Sequence, residues 1–194
     1  MTEYKLFLAY LAIALGFIGY VPYFRDIIKD RTKPHFFTWF LWGLTEVIIF
    51  AIQINQNAGA GAWVTGFTAL TCFVIAGLSL KKGTKEFLPI DWLLFTASLV
   101  SLFLWWMTKN PLTSVILIIV TDATAFAVTI RKTFKYPYSE TLITYFFSAL
   151  KCLIAIFALE TYNLNTWLFY AYLSFVNFSF VFTILLRRRY LKQT

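Results

Sequence analysis

The segment GYVPYFRDIIKDRTKPHFFTWFLWGL, residues 19–44, joins two long apolar runs through a short basic stretch. It ends one apolar run of about 20 residues, which is the length that a helix needs to cross a bilayer, and it begins another. The same pattern of apolar run, turn and apolar run continues along the 194 residues of the chain. This segment therefore predicts an α-helical protein that crosses the membrane several times.

The composition supports the same class over the whole chain. Hydrophobic residues make up 60% of the chain, aromatic residues 21% and charged residues 13%, whereas soluble domains carry about 25% charged residues. The membrane-length apolar runs have the approximate bounds 4–24, 36–54, 62–80, 92–108, 111–130, 141–159 and 166–186. We predict an all-α polytopic membrane protein with seven transmembrane helices and almost no extramembrane domain.

The positive charge of the chain is concentrated in alternate loops. Fourteen of the 17 Lys and Arg residues lie in the first, third and fifth loops and at the C-terminus, whereas the N-terminus and the even loops hold only Lys5 and Lys109. Because cytoplasmic loops are rich in Lys and Arg, we expect the N-terminus outside and the C-terminus in the cytoplasm, in a bacterial cytoplasmic membrane. The net charge of +8 then requires no nucleic-acid partner.

The chain contains a weak internal repeat with an offset of 106 residues. The shift lays the first three spans on the last three, and polar positions match as well as apolar ones. The matched polar pairs include Thr38 with Thr144, Thr68 with Ser174 and Thr71 with Asn177. Two three-helix units keep one orientation in the membrane only if a further helix separates them. We therefore predict a first repeat over 1–86, an inverter helix over 87–109 and a second repeat over 110–194.

The quoted segment resembles the first helix, proline-containing turn and second helix of SWEET and PQ-loop membrane transporters. Pro22 matches the helix-kinking proline of that family, and Thr71 and Asn177 stand where SWEETs carry the two asparagines that bind sugar. Tyr23 replaces the Gln of the family's dipeptide, and Val128 stands at the proline position of the second repeat. The resemblance implies a three-plus-one-plus-three layout, shared with Pnu-type vitamin transporters, alternating access, and a hinge at Pro22.

Three ionisable residues, Glu46, Asp122 and Lys151, lie near the middle of predicted spans. Charge at that depth is costly and usually functional. Helical spacing groups these residues with other polar ones on one face of each helix, and the repeat directs those faces to a common axis. We predict a central polar cavity with Trp42 and Tyr170 as its apolar walls. The candidate substrate-binding residues are Asn177, Thr71, Lys151, Asp122, Glu46, Trp42, Ser148, Ser174, Thr68 and Tyr170.

These observations favour a small-solute transporter that works by alternating access, with one three-helix bundle rocking against the other. The mixed charges indicate a polar or zwitterionic solute, such as a sugar, a vitamin or an amino-acid-like molecule. Lys151 has an alternative role as a structural ion-pair partner of Asp122 or Glu46. Because a desolvated carboxyl group favours its neutral form, one of the two acids is also a candidate site of proton coupling.

The sequence also leaves other functional classes as alternatives. The main one is a non-transporting seven-helix receptor or scaffold of the PQ-loop fold, which binds without flux. A retinal protein carries its lysine on the seventh helix, and the seventh span here has none. We expect no enzyme, because HExxH and paired catalytic groups are absent, and no cofactor, because Cys72 and Cys152 fall inside apolar runs. The sequence leaves open whether the chain forms a homo-oligomer.

Overall fold

The computed structural model describes residues 3–85, 87–108 and 110–191. Within these ranges the chain is helical and contains no strand. The α-helices are α1 (Glu3–Ile28), α2 (Phe36–Asn55), α3 (Ala62–Lys82), α4 (Pro89–Thr108), α5 (Pro111–Lys135), α6 (Leu142–Ala158) and α7 (Leu164–Leu191), and one turn of 3-10 helix (Gly59–Gly61) precedes α3. Lys109 and Lys192, which contributed to the charge count, lie outside the described residues.

In the described ranges, five helical segments are long and apolar enough to cross a membrane. They are α1, α2, α3 with its preceding 3-10 turn, α5 and α7. The chain is therefore a polytopic helical membrane protein, as its composition predicts. The apolar helix α6 is shorter, at 17 residues, because the chain becomes extended at Leu159. Of the seven predicted spans, five correspond to helices of spanning length among the described residues.

Three helices extend beyond the ends that the sequence predicts. Helix α1 continues through Pro22 to Ile28, α5 continues to Lys135 and α7 continues to Leu191. Each of these helices carries basic residues in its last turn. Cations near a helix C-terminus are stabilised by the helix dipole. The basic residues that mark loops in the sequence therefore belong in part to the ends of helices.

Asn110 separates α4 from α5. Its side-chain oxygen accepts hydrogen bonds from the backbone N–H groups of Leu112, at 3.0 Å, and Thr113, at 3.2 Å. An asparagine at this position satisfies donors that the first turn of a helix leaves without a partner. The cap fixes where α5 begins, and α4 then packs back along α5.

The helices pair across the two halves of the chain in a matched way. Helix α1 packs against α6 and α2 packs against α5, while α3 lies beside α2 and α7 lies beside α6. The Thr38 hydroxyl of α2 donates to the Ala125 carbonyl of α5 at 3.1 Å. The Thr144 hydroxyl of α6 donates to the Gly19 carbonyl of α1 at 2.8 Å. Donors and acceptors are each separated by the 106-residue offset of the sequence repeat.

Helix α1 meets α6 through a face of small residues at helical spacing. This face consists of the buried residues Ala9, Ala12, Gly16 and Gly19. A Cβ atom added at Gly19 would lie 2.7 Å from the Cβ of Phe147 on α6, which is closer than side chains approach one another. Small residues allow the backbones of membrane helices to come close. The close approach of α1 to α6 therefore depends on glycine at position 19.

The basic loops gather at one end of the helices, which we call the basic end. There Lys82 pairs with Asp30 at 2.8 Å, and the Lys33 backbone N–H donates to the Ser139 carbonyl at 3.3 Å. At the opposite end, the Glu160 backbone N–H donates to the Ala58 carbonyl at 3.0 Å. The structure thus brings the first, third and fifth loops together, as the charge pattern predicts.

Gly19→Ala is expected to lower the stability of the protein in detergent by about 1–3 kcal/mol, because overpacking forces α1 away from α6. The matched control is Gly77→Ala on α3, where an added Cβ would have no atom within 4 Å. That control is expected to leave the melting temperature unchanged or to raise it, since alanine favours helix. Equal melting temperatures for the two variants would contradict the close contact.

Candidate functional site

A small cavity of about 40 Å³ lies between the helices. It separates two buried apolar clusters, one toward the basic end that includes Tyr23 and Ile27, and one toward the opposite end that includes Ala58 and Leu159. Described residues of α1, α2, α3, α5, α6 and α7 contribute to its wall. Seven of the ten predicted binding residues line it: Asn177, Lys151, Asp122, Glu46, Trp42, Ser148 and Thr68.

Two predicted residues, Thr71 and Ser174, lie outside the cavity wall. The Thr71 hydroxyl donates to the Phe67 carbonyl of its own helix at 2.9 Å, which is a common way for a threonine inside a helix to satisfy its hydroxyl. The Ser174 hydroxyl donates to the Ala149 carbonyl of α6 at 3.1 Å. Thr71 is therefore satisfied within α3, and Ser174 joins α7 to α6.

Tyr170, the third residue outside the wall, belongs to a polar layer nearer the opposite end. Its hydroxyl donates to the Gly61 carbonyl at 2.7 Å and lies 2.6 Å from the Thr65 hydroxyl. Gln53 completes the layer, because its amide nitrogen donates to the Thr166 carbonyl at 3.0 Å. Tyr170 therefore links α7 to the start of α3 on that side and does not line the cavity.

Lys151 is buried and bonded to neutral groups. Its Nζ donates to the Thr68 hydroxyl at 2.6 Å and lies 5.5 Å from the centroid of the Tyr20 ring. Among the described residues it makes no ion pair within 4.0 Å with Glu46 or Asp122. The structural ion pair considered as its alternative role is therefore not the contact that Lys151 makes.

The acidic side of the cavity is only partly satisfied. The Tyr172 hydroxyl donates to Asp122 Oδ2 at 2.8 Å. In the part of the chain that the structure describes, Glu46 Oε2 and Trp42 Nε1 are buried without a hydrogen-bond partner. A buried polar atom without a partner costs free energy. These two atoms are therefore available to a molecule in the cavity.

Aromatic rings form much of the remaining wall, and the sequence prediction missed most of them. The lining residues that it did not include are Tyr20, Trp39, Cys72, Phe126, Thr144, Tyr145, Cys152 and Leu173. The centroids of Trp39 and Trp42 lie 5.0 Å apart with the rings nearly perpendicular. The spacing of three between these tryptophans puts them on one helix face, and that spacing was the available signal.

A buried cluster around Glu140 lies between the cavity and the basic end. Glu140 accepts hydrogen bonds from the hydroxyls of Tyr23, at 3.0 Å, and Tyr145, at 2.8 Å, and it pairs with Lys132. The Trp39 indole N–H donates to the Tyr23 hydroxyl at 3.1 Å. We call these five residues the Glu140 cluster. Trp39 and Tyr145 also line the cavity, so the cluster connects the cavity to the basic end.

A wider cavity of about 520 Å³ lies beyond the Glu140 cluster at the basic end. Its wall is formed by Arg31, Lys33, Gly83, Thr84, Lys85, Lys132, Tyr136, Tyr138 and Ser139. Lys132 belongs both to this wall and to the cluster. The cluster is therefore the layer of side chains that stands between the two cavities.

The only histidine, His35, is buried beside a second ion pair. Arg131 donates to both oxygens of Asp91, with a shortest distance of 2.7 Å, and His35 Nε2 lies 3.6 Å from Asp91 Oδ2. Burial lowers the pKa of His35 from 6.5 to about 4; Asp91 opposes this shift, and Lys132 and Arg131 add to it. Only 1% of His35 is exposed.

No group of three or more His, Cys, Asp or Glu side chains in the described part of the chain is arranged to hold a metal ion. Cys72 and Cys152 are free and buried, and both line the cavity. A free buried cysteine behaves as a small apolar residue. The two thiols therefore add surface of low polarity to the cavity wall.

Comparison with known proteins adds no relative. No family model matches the chain, and no curated protein and no solved structure matches it either. The resemblance to SWEET and PQ-loop transporters therefore rests on the residues quoted from the sequence, and the function has to be inferred from the geometry of the cavity.

Glu140→Ala is expected to destabilise the protein by about 3–5 kcal/mol, because it leaves the Lys132 ammonium buried without its partner. The matched control is Asp30→Ala, which removes a carboxylate whose pair with Lys82 is exposed and is expected to cost about 1 kcal/mol or less. Thermal unfolding in detergent measures both. A smaller loss for Glu140→Ala than for Asp30→Ala would contradict a structural role for the cluster.

His35 is expected to make the stability of the protein depend on pH. Because the folded state lowers its pKa from 6.5 to about 4, the unfolded state binds the proton more tightly, and stability falls as the pH drops through that window. His35→Gln is expected to reduce the slope of melting temperature against pH between these values. An unchanged slope in the variant would show that other groups cause the dependence.

Proposed function

We propose that the protein is a small-solute membrane transporter that works by alternating access around the central cavity. The observation that carries the proposal is the burial of Glu46, Asp122, Lys151 and Asn177 around one cavity. Ionisable groups at such depth are costly and usually mark a solute pathway. The solute is a polar or zwitterionic small molecule of the sugar, vitamin or amino-acid-like class.

Matched contacts across the two halves support a layout of two parallel three-helix repeats. In this layout α1–α3 form one bundle, α5–α7 form the other and α4 is the inverter helix. The hydrogen bond between Lys33 and Ser139 joins two positions that are themselves 106 residues apart. Two equivalent positions that bond to each other lie on either side of a pseudo-two-fold axis. Parallel repeats of this kind are a transporter architecture.

The size of the cavity supports a mechanism with moving bundles. A space of about 40 Å³ holds water but no organic solute, so the bundles have to separate for a solute to bind. Separation at the basic end breaks the bond of Tyr23 on α1 to Glu140, whereas Tyr145 and Glu140 belong to the same half and stay together. Pro22 precedes Tyr23 and removes one hydrogen bond from α1. We therefore assign Pro22 as the hinge that accompanies this opening.

The charge pattern supports an orientation with the basic end in the cytoplasm. In that orientation the Glu140 cluster is the cytoplasmic gate, and the layer around Tyr170 faces the outside. Glu46 and Asp122 are two acids against the single base Lys151, so an acid that gains and loses a proton during the cycle would couple uptake to a proton gradient. Uptake driven by an imposed pH gradient tests that coupling.

Asn177→Ala and Asp122→Asn are both expected to abolish uptake, because each removes a polar group from the cavity wall. The solute is first found by thermal stabilisation of purified protein against sugars, amino acids, nucleosides and vitamins at acidic and at neutral pH, since a ligand of the folded state raises apparent stability. Uptake of that solute is then measured in proteoliposomes.

Asp30→Asn is the matched control for Asp122→Asn, because it removes an exposed carboxylate at the basic end. It is expected to transport like the unmodified protein. Unchanged uptake in both cavity variants would refute the site. Binding of a solute without any flux would instead favour the receptor or scaffold of the same fold.

A further inference from the structure

Two polar atoms of cavity-lining residues on α2 are buried without a partner. Within the described chain, neither Trp42 Nε1 nor Glu46 Oε2 makes a hydrogen bond. Trp42 is 8% exposed and Glu46 is 5% exposed, so bulk solvent does not satisfy these atoms. Residues four apart are neighbours on one helix face. The cavity therefore offers a bound molecule one donor and one acceptor, a single helical turn apart.

The ionised forms of the groups around the cavity do not cancel one another. Its two acidic residues are Glu46 and Asp122, and its basic residue is Lys151. The Lys151 ammonium is bonded to the Thr68 hydroxyl at 2.6 Å, and no ion pair joins it to either acid among the residues described. When all three groups are ionised, the cavity carries one net negative charge, which is costly at this depth. A bound monocation removes that net charge.

The aromatic wall is suited to a cation. Phe126 lies 5.2 Å from Trp42, and Trp39 lies 5.0 Å from Trp42 on another side, measured between ring centroids. The faces of aromatic rings attract cations, and groups of such rings bind quaternary ammonium ligands. The Lys151 ammonium already lies over the Tyr20 ring. Trp39 and Trp42 line the same cavity beside it.

We infer that the solute is a small organic ammonium ion that also carries an acceptor oxygen. Its cationic group lies against the tryptophan rings and the Glu46 carboxylate, and its oxygen accepts a hydrogen bond from Trp42 Nε1. The inference rests on the proposed function for the movement of the solute, and it adds the charge and the donor–acceptor pattern of the ligand. When all three groups are ionised, a neutral sugar would leave the net charge of the cavity in place, and an anion would increase it.

Pairs of probes with similar shape and different charge test this inference. Choline is compared with its neutral isostere 3,3-dimethylbutan-1-ol, and ethanolamine is compared with ethylene glycol, by thermal stabilisation of the full-length protein in detergent. At least one cation is expected to stabilise the protein at a concentration about tenfold or more below that of its neutral counterpart. Proteoliposome uptake of the same probes is measured in parallel.

Variants connect the effect to the two unpartnered atoms. Glu46→Gln keeps the shape of the side chain and removes its charge, and it is expected to weaken cation binding by about tenfold or more. Asp30→Asn removes an exposed carboxylate elsewhere and is expected to change nothing. Trp42→Phe keeps an aromatic ring, removes the indole donor, and is also expected to weaken binding. If Glu46→Gln does not fold, Trp42→Phe tests the inference in its place.

The outcomes separate the ligand class from the transport proposal. Equal stabilisation by a cation and its neutral counterpart in both pairs, or stabilisation by neither cation, overturns the ligand class. Cation binding without flux overturns transport and supports the ligand class. Flux of a neutral solute with no cation binding supports transport and overturns the ligand class.

Discussion

Buried polar groups in this molecule need partners across its two halves, and two threonine hydroxyls provide equivalent bonds of this kind. Thr38 and Thr144 each donate to a backbone carbonyl of the facing helix. Lipid offers no partner for such groups, so buried polar atoms have to be satisfied within the bundle. The two bonds bring α2 against α5 and α6 against α1 at the same depth. The cavity lies between these four helices, and α3 and α7 complete its wall.

Most polar groups around the cavity are used to join helices, and the few that are not give the site its chemistry. Thr68 bonds to Lys151, and Tyr172 bonds to Asp122. Indole N–H donors and carboxylates are costly to bury without a hydrogen-bond partner, yet Trp42 Nε1 and Glu46 Oε2 have none in the described chain. The contrast between satisfied and unsatisfied groups therefore separates the frame of the cavity from the atoms that can meet a ligand.

The sequence predicted the helices well because each one needs a long apolar run, and it predicted their grouping because the basic loops share one end. The sequence predicted which residues share one face of a helix, but it did not predict their depth along the helix or their hydrogen-bond partners. Tyr170 was therefore assigned to the cavity, although its hydroxyl donates to the Gly61 carbonyl. The Glu140 cluster was not predictable. Its carboxylate lies in a loop of the sequence, and its partner Tyr23 is 117 positions away along the chain.

The two halves share one framework but differ in what they carry at its centre. The position equivalent to Gly16 on α1 is Asp122 on α5, and the position equivalent to Thr45 on α2 is Lys151 on α6. Gly16 leaves space for the Lys151 side chain, whose Cδ would lie 2.9 Å from a Cβ added there. One helix pair therefore holds the ammonium and the other holds the carboxylates. An assembly of two identical three-helix subunits would present the same groups from both sides. Joining the halves in one chain allows the two sides of the centre to differ, so that a molecule lying across it can bind in only one of two opposite orientations.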